Sequence, residues 1–350
     1  MPMAGNDKLR AGLIGCGFFA RNHLQAWKMI PEVELVAVCD LDRDKAEAAR
    51  AEFGVAKAYN DAATMLRAEQ LDFVDIATTM GSHRAIGALA AQRGVHAIIQ
   101  KPLAPSWEDC TAIADAFHQA GRRLMVHENF RFQTPILAVR RALAEGKIGK
   151  PHFAQVSFRS GFDVYAAQPY LAKEDRFILL DLGIHLLDIL RVLMGEVTSV
   201  QCQTQRINPK IKGEDVATAL FRHASDAVSI VDCSYASKVE PDPFPQTLLK
   251  VEGDQGSLEL RADYRLRIVS DGKVGESSVE PNLLPWAAKP WHGLQESVLN
   301  AQRHWVESLR AGREAETSGA DNLKTYALVM ACYDSARCGA TVSPQVWTPR

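Results

Sequence analysis

The sequence predicts an α/β protein in two parts: a doubly wound parallel sheet, then an α+β domain built on one large, open, mainly antiparallel sheet. Three observations predict it. The chain has 350 residues, more than one hydrophobic core ordinarily serves. Up to residue 128, short apolar runs alternate with helical patterns, the signature of a parallel sheet covered on both faces. From residue 129 onward, apolar and polar positions alternate in strands separated by turn residues, as in an antiparallel sheet with one wet face. The expected domains are therefore 1–128 and 129–350.

In order along the chain, "LRAGLIG" (9–15) reads as a buried strand leading into a helix from about Phe19 to Met29. "VELVAVCD" (33–40) is a second strand, followed by the solvated helix "RDKAEAARAEFG". "LDFVDIATT" (71–79), "HAIIQKP" (96–102) and "LMVHENF" (124–130) are three further strand-like runs. The helices between them run through "HRAIGALAAQRG" and from about Ser106 to Ala120. A helix over 134–145 then ends at Gly146. "PHFAQVSFRS", "TSVQCQTQRI", "EDVATALFRHASDAVSIVDCSYAS" and "QTLLKVEGDQGSLELRADYRLRIVSDGK" follow as an antiparallel meander, its turns carrying Ser-Asp, Asp-Gln-Gly and Asp-Gly. Two helices, near 293–311 and 321–338, close the chain.

Composition narrows the function. Hydrophobic residues at 47% and charged residues at 23% are those of a soluble globular protein. A net charge of −2 offers nothing to a nucleic acid or an anionic membrane. No apolar run approaches the roughly 20 residues of a membrane span. The start, "MPMAGNDKLRAG", carries no apolar run of signal-peptide type. The seven cysteines are scattered and form no Cys-x-x-Cys, so they read as reduced thiols of a cytoplasmic protein.

"GLIGCGFFA" places Gly15-x-Gly17-x-x-Ala20 between a strand and a helix. Gly15 permits the tight turn, Gly17 lets the backbone approach a pyrophosphate, and Ala20 allows the helix to pack closely on the strand. Asp40 ends the next strand, placed to accept hydrogen bonds from a ribose diol. A carboxylate there repels a 2′-phosphate, so NAD is expected rather than NADP, although Arg43 lies nearby. Phe18 and Phe19 complete the loop and join the candidate cofactor contacts.

"FILLDLGIHLLDIL" (177–190) is an apolar helix that carries Asp181, His185 and Asp188. In an α-helix these offsets set all three on one face. Unpaired buried charge is costly, so each needs a partner or a task. A stripe of acid, imidazole and acid suits the wall of a ligand crevice. For Asp188, pairing with Arg191 or support from behind is as good a reading as ligand contact. A metal reading lacks a third ligand, and no metal is expected.

The glycine loop, "ATTMGSH" (77–83), "IIQKP" (98–102), "ENFRF" (128–132) and "DLGIHLLD" (181–188) occur in an order and spacing that resemble the Gfo/Idh/MocA oxidoreductases over nearly the whole chain. The resemblance implies a Rossmann domain for NAD, a second domain whose open sheet packs against another subunit as a homodimer or homotetramer, and hydride transfer at a carbinol or aldehyde-level carbon of a sugar or polyol. It implies that Lys101 hydrogen-bonds the reacting hydroxyl, that His185 is the acid/base and that Asp181 supports it. One departure stands out: Gln100 replaces the usual glutamate before the lysine. The "QPY…RF…DLGIH" arrangement further resembles the aldose-oxidising members, implying a small or branched pentose such as apiose.

The chemistry suits these residue types. Oxidising a hydroxyl sends a hydride to the nicotinamide and a proton to a base, and histidine titrates near neutrality. A lysine cation stabilises the developing alkoxide. Further candidates are Thr78, Thr79, His83 and Gln100 for the cofactor, with His83 equally a helix cap, and Asn129 for cofactor or substrate. "RSGFDVYAAQPYLAKEDRF" (159–177) reads as a substrate-covering loop with Arg159, Tyr165 and Gln168 as hydroxyl partners. "KPWHG" (289–293) offers His292. Two other classes stay open: a redox-neutral enzyme that uses NAD transiently, and a non-catalytic dinucleotide sensor.

Overall fold

A computed structural model describes residues 8–349, so most of the N-terminal stretch read above for a signal peptide lies outside the described residues. Two compact units emerge. The first runs through Glu128 and takes in Val298–Leu323; the second is Asn129–Ser297 with Lys324–Val346.

In the first unit the strands are β1 (Leu9–Ile14), β2 (Val33–Cys39), β3 (Lys57–Tyr59), β4 (Phe73–Ile76), β5 (His96–Gln100) and β6 (Leu124–His127). The helices between them are α1 (Ala20–Trp27), α2 (Arg43–Phe53), α3 (Ala62–Ala68), α4 (Met80–Gln92) and α5 (Trp107–Gln119). All strand pairs are parallel, in the order β3-β2-β1-β4-β5-β6. The chain reverses direction across the sheet between β1 and β4, where open α/β sheets bind ligands. Continuous apolar strands are what burial on both faces demands: Ala11, Leu13, Phe73, Ile98 and Val126 are fully buried. The sequence reading missed β3 and α3. A three-residue edge strand has no room for an apolar run; β3 is held by its polar side chains, with Lys57 (2.7 Å) and the Tyr59 hydroxyl both bonding Glu69. Thr317 closes the other edge, its carbonyl accepting from the Val126 N–H at 2.8 Å and its hydroxyl donating to the Val126 carbonyl at 2.7 Å.

The second unit opens with α6 (Thr134–Ala144) and holds an eight-stranded sheet: β7 (Pro151–Arg159), β8 (Val197–Gln205), β9 (Val216–His223), β10 (Val228–Ser234), β11 (Leu248–Gly253), β12 (Gly256–Arg261), β13 (Arg265–Ser270) and β14 (Lys273–Ser278). Its order is β14-β13-β12-β11-β7-β10-β9-β8. The expected meander is interrupted: β7 lies between β11 and β10 and pairs parallel with β10, so the sheet is mainly but not wholly antiparallel. Ala154, Val156 and Phe158 of β7 are buried and the alternate residues are not, which defines an inner and an outer face. The short α7 (Val164–Ala167) and α8 (Ile184–Met194) lie between β7 and β8, and α8 packs on β7 and β10. The last helices are α9 (His292–Arg310) and α10 (Gly319–Cys338). Among the described residues no helix is long and apolar enough to cross a membrane, and all seven cysteines are free thiols, five of them buried.

His96 gives the first unit an acid-sensitive point. Its Nδ1 accepts the Arg123 N–H at 2.7 Å, and burial, with Arg122 and Arg123 nearby, pushes its pKa down to about 4. The unfolded imidazole titrates near 6.5, so between roughly pH 6.5 and 4 the unfolded chain binds the extra proton. The stability held above this window is lost as pH falls through it. His96→Gln keeps an acceptor and removes the titration. Its unfolding temperature should fall less steeply from pH 7 to 4 than that of the wild type; equal slopes would remove His96 as the cause.

Candidate active site

The first unit supplies a dinucleotide cradle. Gly15 has φ +97°, and a Cβ there would meet the Ala77 carbonyl and the Thr78 nitrogen at 2.8 Å, so only glycine lets the β1–α1 and β4–α4 turns touch. Gly17 has open space where its side chain would be. Helix α1 starts with no side-chain cap, leaving its first N–H groups for an anion. Asp40 braces the loop: its carboxylate accepts from the Cys16 N–H (2.7 Å) and the Asp42 N–H (2.9 Å). Each oxygen keeps a lone pair for a ribose hydroxyl. The Leu41 and Phe18 side chains are exposed, whereas Phe19 stands edge-on to the His23 ring at 5.5 Å. These features fit a pyrophosphate over Gly17 and a diol at Asp40.

The turns after β4 and β5 carry the next candidates. The Thr78 hydroxyl accepts from Ser82 Oγ at 2.7 Å, and the Thr79 carbonyl accepts from the same hydroxyl at 2.9 Å. His83 is fully buried, its Nδ1 and Nε2 each 3.1 Å from the carbonyls of Leu103 and Thr78, and burial lowers its pKa. His83 thus ties the Thr78 turn to the turn bearing Lys101. The Lys101 N–H donates to Gln100 Oε1 at 2.8 Å, so Gln100 folds back onto its neighbour's backbone.

In the second unit, the acid–imidazole helix begins with a π turn over Leu179–Gly183 that passes into α8. Such wide turns break the α-helical register, and often do so at functional sites. Glu214 holds the start: its buried carboxylate accepts from the Phe177 and Leu179 N–H groups (both 3.2 Å) and the Tyr333 hydroxyl (2.7 Å). Asp181 lies within the π turn and is partly exposed. His185 is 4% exposed, and its imidazole lies flat on the Phe130 ring, with centroids 3.8 Å apart and planes 7° apart. Asp188 does not join them. It is fully buried, takes Arg131 Nε at 2.6 Å with a second bond from the same guanidinium, and accepts Thr325 Oγ1 at 3.0 Å. Arg191 bonds Glu196 at 3.0 and 3.2 Å and Thr325 Oγ1 at 2.8 Å.

The remaining candidates scatter. Arg159 shares the outer face of β7 with Gln155 and Ser157 and pairs with Asp232 at 3.5 Å. Asn129 Nδ2 donates to Ser297 Oγ at 2.7 Å. Tyr165 packs on Phe177 at 5.6 Å, and desolvation, with Asp215 and Asp163 nearby, pushes its hydroxyl up to about 12. His292 is buried against Tyr264 and stands 3.6 Å from Glu280. Gln168 accepts from the Tyr170 hydroxyl at 2.9 Å. Tyr170, not singled out from the sequence, is the tyrosine beside the candidate acid: desolvation of its hydroxyl and the charges of Asp181 and Glu174 push it up to about 12.

Comparison with known proteins decides the family. Residues 9–128 match the model for the oxidoreductase family with an NAD-binding Rossmann fold, and residues 136–259 match the GFO/IDH/MocA C-terminal domain. The chain belongs to the Gfo/Idh/MocA oxidoreductase family. It is similar to a D-apiose dehydrogenase of Paraburkholderia graminis, 55% identical over 96% of this chain and 89% of that one. A D-apiose dehydrogenase of Rhizobium rhizogenes is 50% identical over 96% and 97% of the two chains. Among solved structures, an oxidoreductase from Agrobacterium radiobacter in complex with NAD+, L-tartaric acid and magnesium matches with a TM-score of 0.95 at 50% identity, covering 96% of this chain and 98% of that one.

As a Gfo/Idh/MocA member, the protein is an NAD-dependent oxidoreductase whose first unit is the NAD-binding Rossmann domain. The supports of the second unit's helix (Phe130, Arg131 and Glu214) lay outside the sequence reading. Two of them stand in "ENFRF", quoted above for the resemblance, but no local pattern announces that a ring at 130 lies on an imidazole at 185.

Proposed function

We propose that this protein is an NAD-dependent sugar dehydrogenase that oxidises a small aldose such as D-apiose at its anomeric carbon. The single observation that carries the reading is 55% identity to a D-apiose dehydrogenase across 96% of the chain. NAD+, when bound, supplies the hydride acceptor. Lys101 donates a hydrogen bond to the reacting oxygen and stabilises it as the alkoxide forms. His185 takes the hydroxyl proton, and Asp181, in the turn before it, orients the imidazole or passes the proton on. The Phe130 ring holds the imidazole plane, so the base is presented in one orientation. Asp40 favours NAD over NADP by repelling a 2′-phosphate. The protein works in the cytoplasm as a homodimer or homotetramer, with the outer sheet face covered by another subunit.

The test is direct. D-apiose, other aldoses, polyols and sugar acids are each incubated with the protein and NAD+ or NADP+, and absorbance of the reduced nicotinamide is followed. D-apiose with NAD+ should give the largest kcat/KM. Turnover of other aldoses but not of D-apiose would overturn the substrate. Tight NAD+ binding with no NADH formed from any of them would replace a dehydrogenase with redox-neutral chemistry or a dinucleotide sensor.

A further inference from the structure

Beneath the Lys101 turn lies a buried polar chain that the reaction above leaves unused. His23 of α1 and Asp75 of β4 are both fully buried. Asp75 Oδ2 receives His23 Nδ1 at 2.8 Å and Trp27 Nε1 at 2.7 Å. The other edge of the imidazole, Nε2, faces Gln100 Nε2 at 3.5 Å, while Gln100 Oε1 accepts the Lys101 N–H at 2.8 Å. The His127 ring lies over His23, centroids 4.2 Å apart.

Donor and acceptor counting fixes every proton in this chain. A carboxylate only accepts, so His23 donates from Nδ1. The Lys101 N–H only donates, so it holds the Gln100 oxygen on its own side. The Gln100 amide nitrogen is thereby turned to His23, where only a lone pair can receive it. Nδ1 carries the proton and Nε2 the lone pair.

We propose that Gln100 is a positioning residue, set by the Asp75–His23 pair, that holds the backbone of Lys101 in place. This rests on the reading of Lys101 as the group on the reacting oxygen. A carboxylate at 100 would still accept the Lys101 N–H, but it would set an oxygen lone pair against the His23 lone pair, which only a second proton on the imidazole relieves. With Asp75 in place, the amide is the side chain whose two ends match both neighbours.

The test removes one end of the chain and then changes what meets the imidazole. Gln100→Met can neither accept the Lys101 N–H nor meet His23 Nε2. It should lower kcat by roughly tenfold to a hundredfold, the scale of a misplaced catalytic group, with less change in KM for the sugar. Wild-type kcat in this variant would overturn the proposal. Gln100→Glu keeps an acceptor for the Lys101 N–H but sets a carboxylate on Nε2, which the imidazole meets by taking a second proton. Independently of activity, imidazole ¹⁵N shifts should show His23 protonated at Nδ1 alone in the wild type and at both nitrogens in Gln100→Glu. An Nε2–H tautomer or an imidazolium in the wild type would overturn it even if every variant misfolds. Lys101→Met tests the underlying reading separately: wild-type turnover there would remove Lys101 from the chemistry and leave the tautomer result standing.

Discussion

Replacing His185 with alanine should lower kcat by about 10²–10⁴ while leaving the Kd for NAD+ within a few-fold of wild type. The argument runs from position to chemistry. His185 is almost fully buried, at 4% exposure, on the first turn of α8. Its ring has a single plane available because Phe130 lies flat against it at 3.8 Å. An imidazole fixed in this way has a ring nitrogen and the orientation a proton acceptor needs, and alanine supplies neither. The dinucleotide cradle of Gly15, Gly17 and Asp40 belongs to the first unit and does not depend on the side chain at 185. Fluorescence titration with NADH and initial rates with the best sugar separate the two quantities. Unchanged turnover would take His185 out of the mechanism, and a parallel collapse of NADH binding would point to misfolding instead.

What the sequence disclosed, and what it hid, follows the range of the interactions involved. The glycine loop was legible because its requirements are local: a φ that only glycine tolerates at 15, open space at 17, and an acid ending the next strand. The parallel sheet was legible because burial on both faces leaves apolar runs. Its sixth strand was not, since Lys57–Tyr59 is short and held by bonds to Glu69. The face of Arg159 was legible too: it shares parity with Gln155 and Ser157, opposite to Val156 and Phe158. The supports of the acid–imidazole helix were hidden for another reason. Phe130 and Arg131, Glu214, and Thr325 come from three distant stretches of chain, and no spacing rule brings them to one helix. The π turn is likewise invisible to an α-helical periodicity, and so Asp181, His185 and Asp188 read as one row.

Asp188 shows what such a hidden support contributes, and its removal should be the most destabilising single change in the second unit. Arg131 and Asp188 are 3% and 0% exposed, and the guanidinium meets the carboxylate with two parallel bonds. Thr325 donates to the same carboxylate and accepts from Arg191 Nη1 at 2.8 Å, which carries the network to Glu196 and Lys324. Asp188→Ala takes the carboxylate away from a buried guanidinium, a loss of about 3–5 kcal/mol. The pair's net worth is a different quantity, because two desolvated ions recover in mutual attraction little more than burial took from them. Replacing both, as Arg131→Met/Asp188→Leu, should therefore restore most of the stability lost by Asp188→Ala. Urea unfolding followed by tryptophan fluorescence measures both variants; a cost below about 1 kcal/mol for Asp188→Ala would mean that water reaches the guanidinium. The double variant also separates stability from catalysis. Arg131 follows Phe130 directly, so the ion pair pins the segment whose ring lies on His185. If the pair is there to hold that ring, the double variant will be folded and bind NADH, yet turn over more slowly than wild type. If apolar packing holds the ring equally well, turnover will return with stability, and the pair's part in the site ends at the fold.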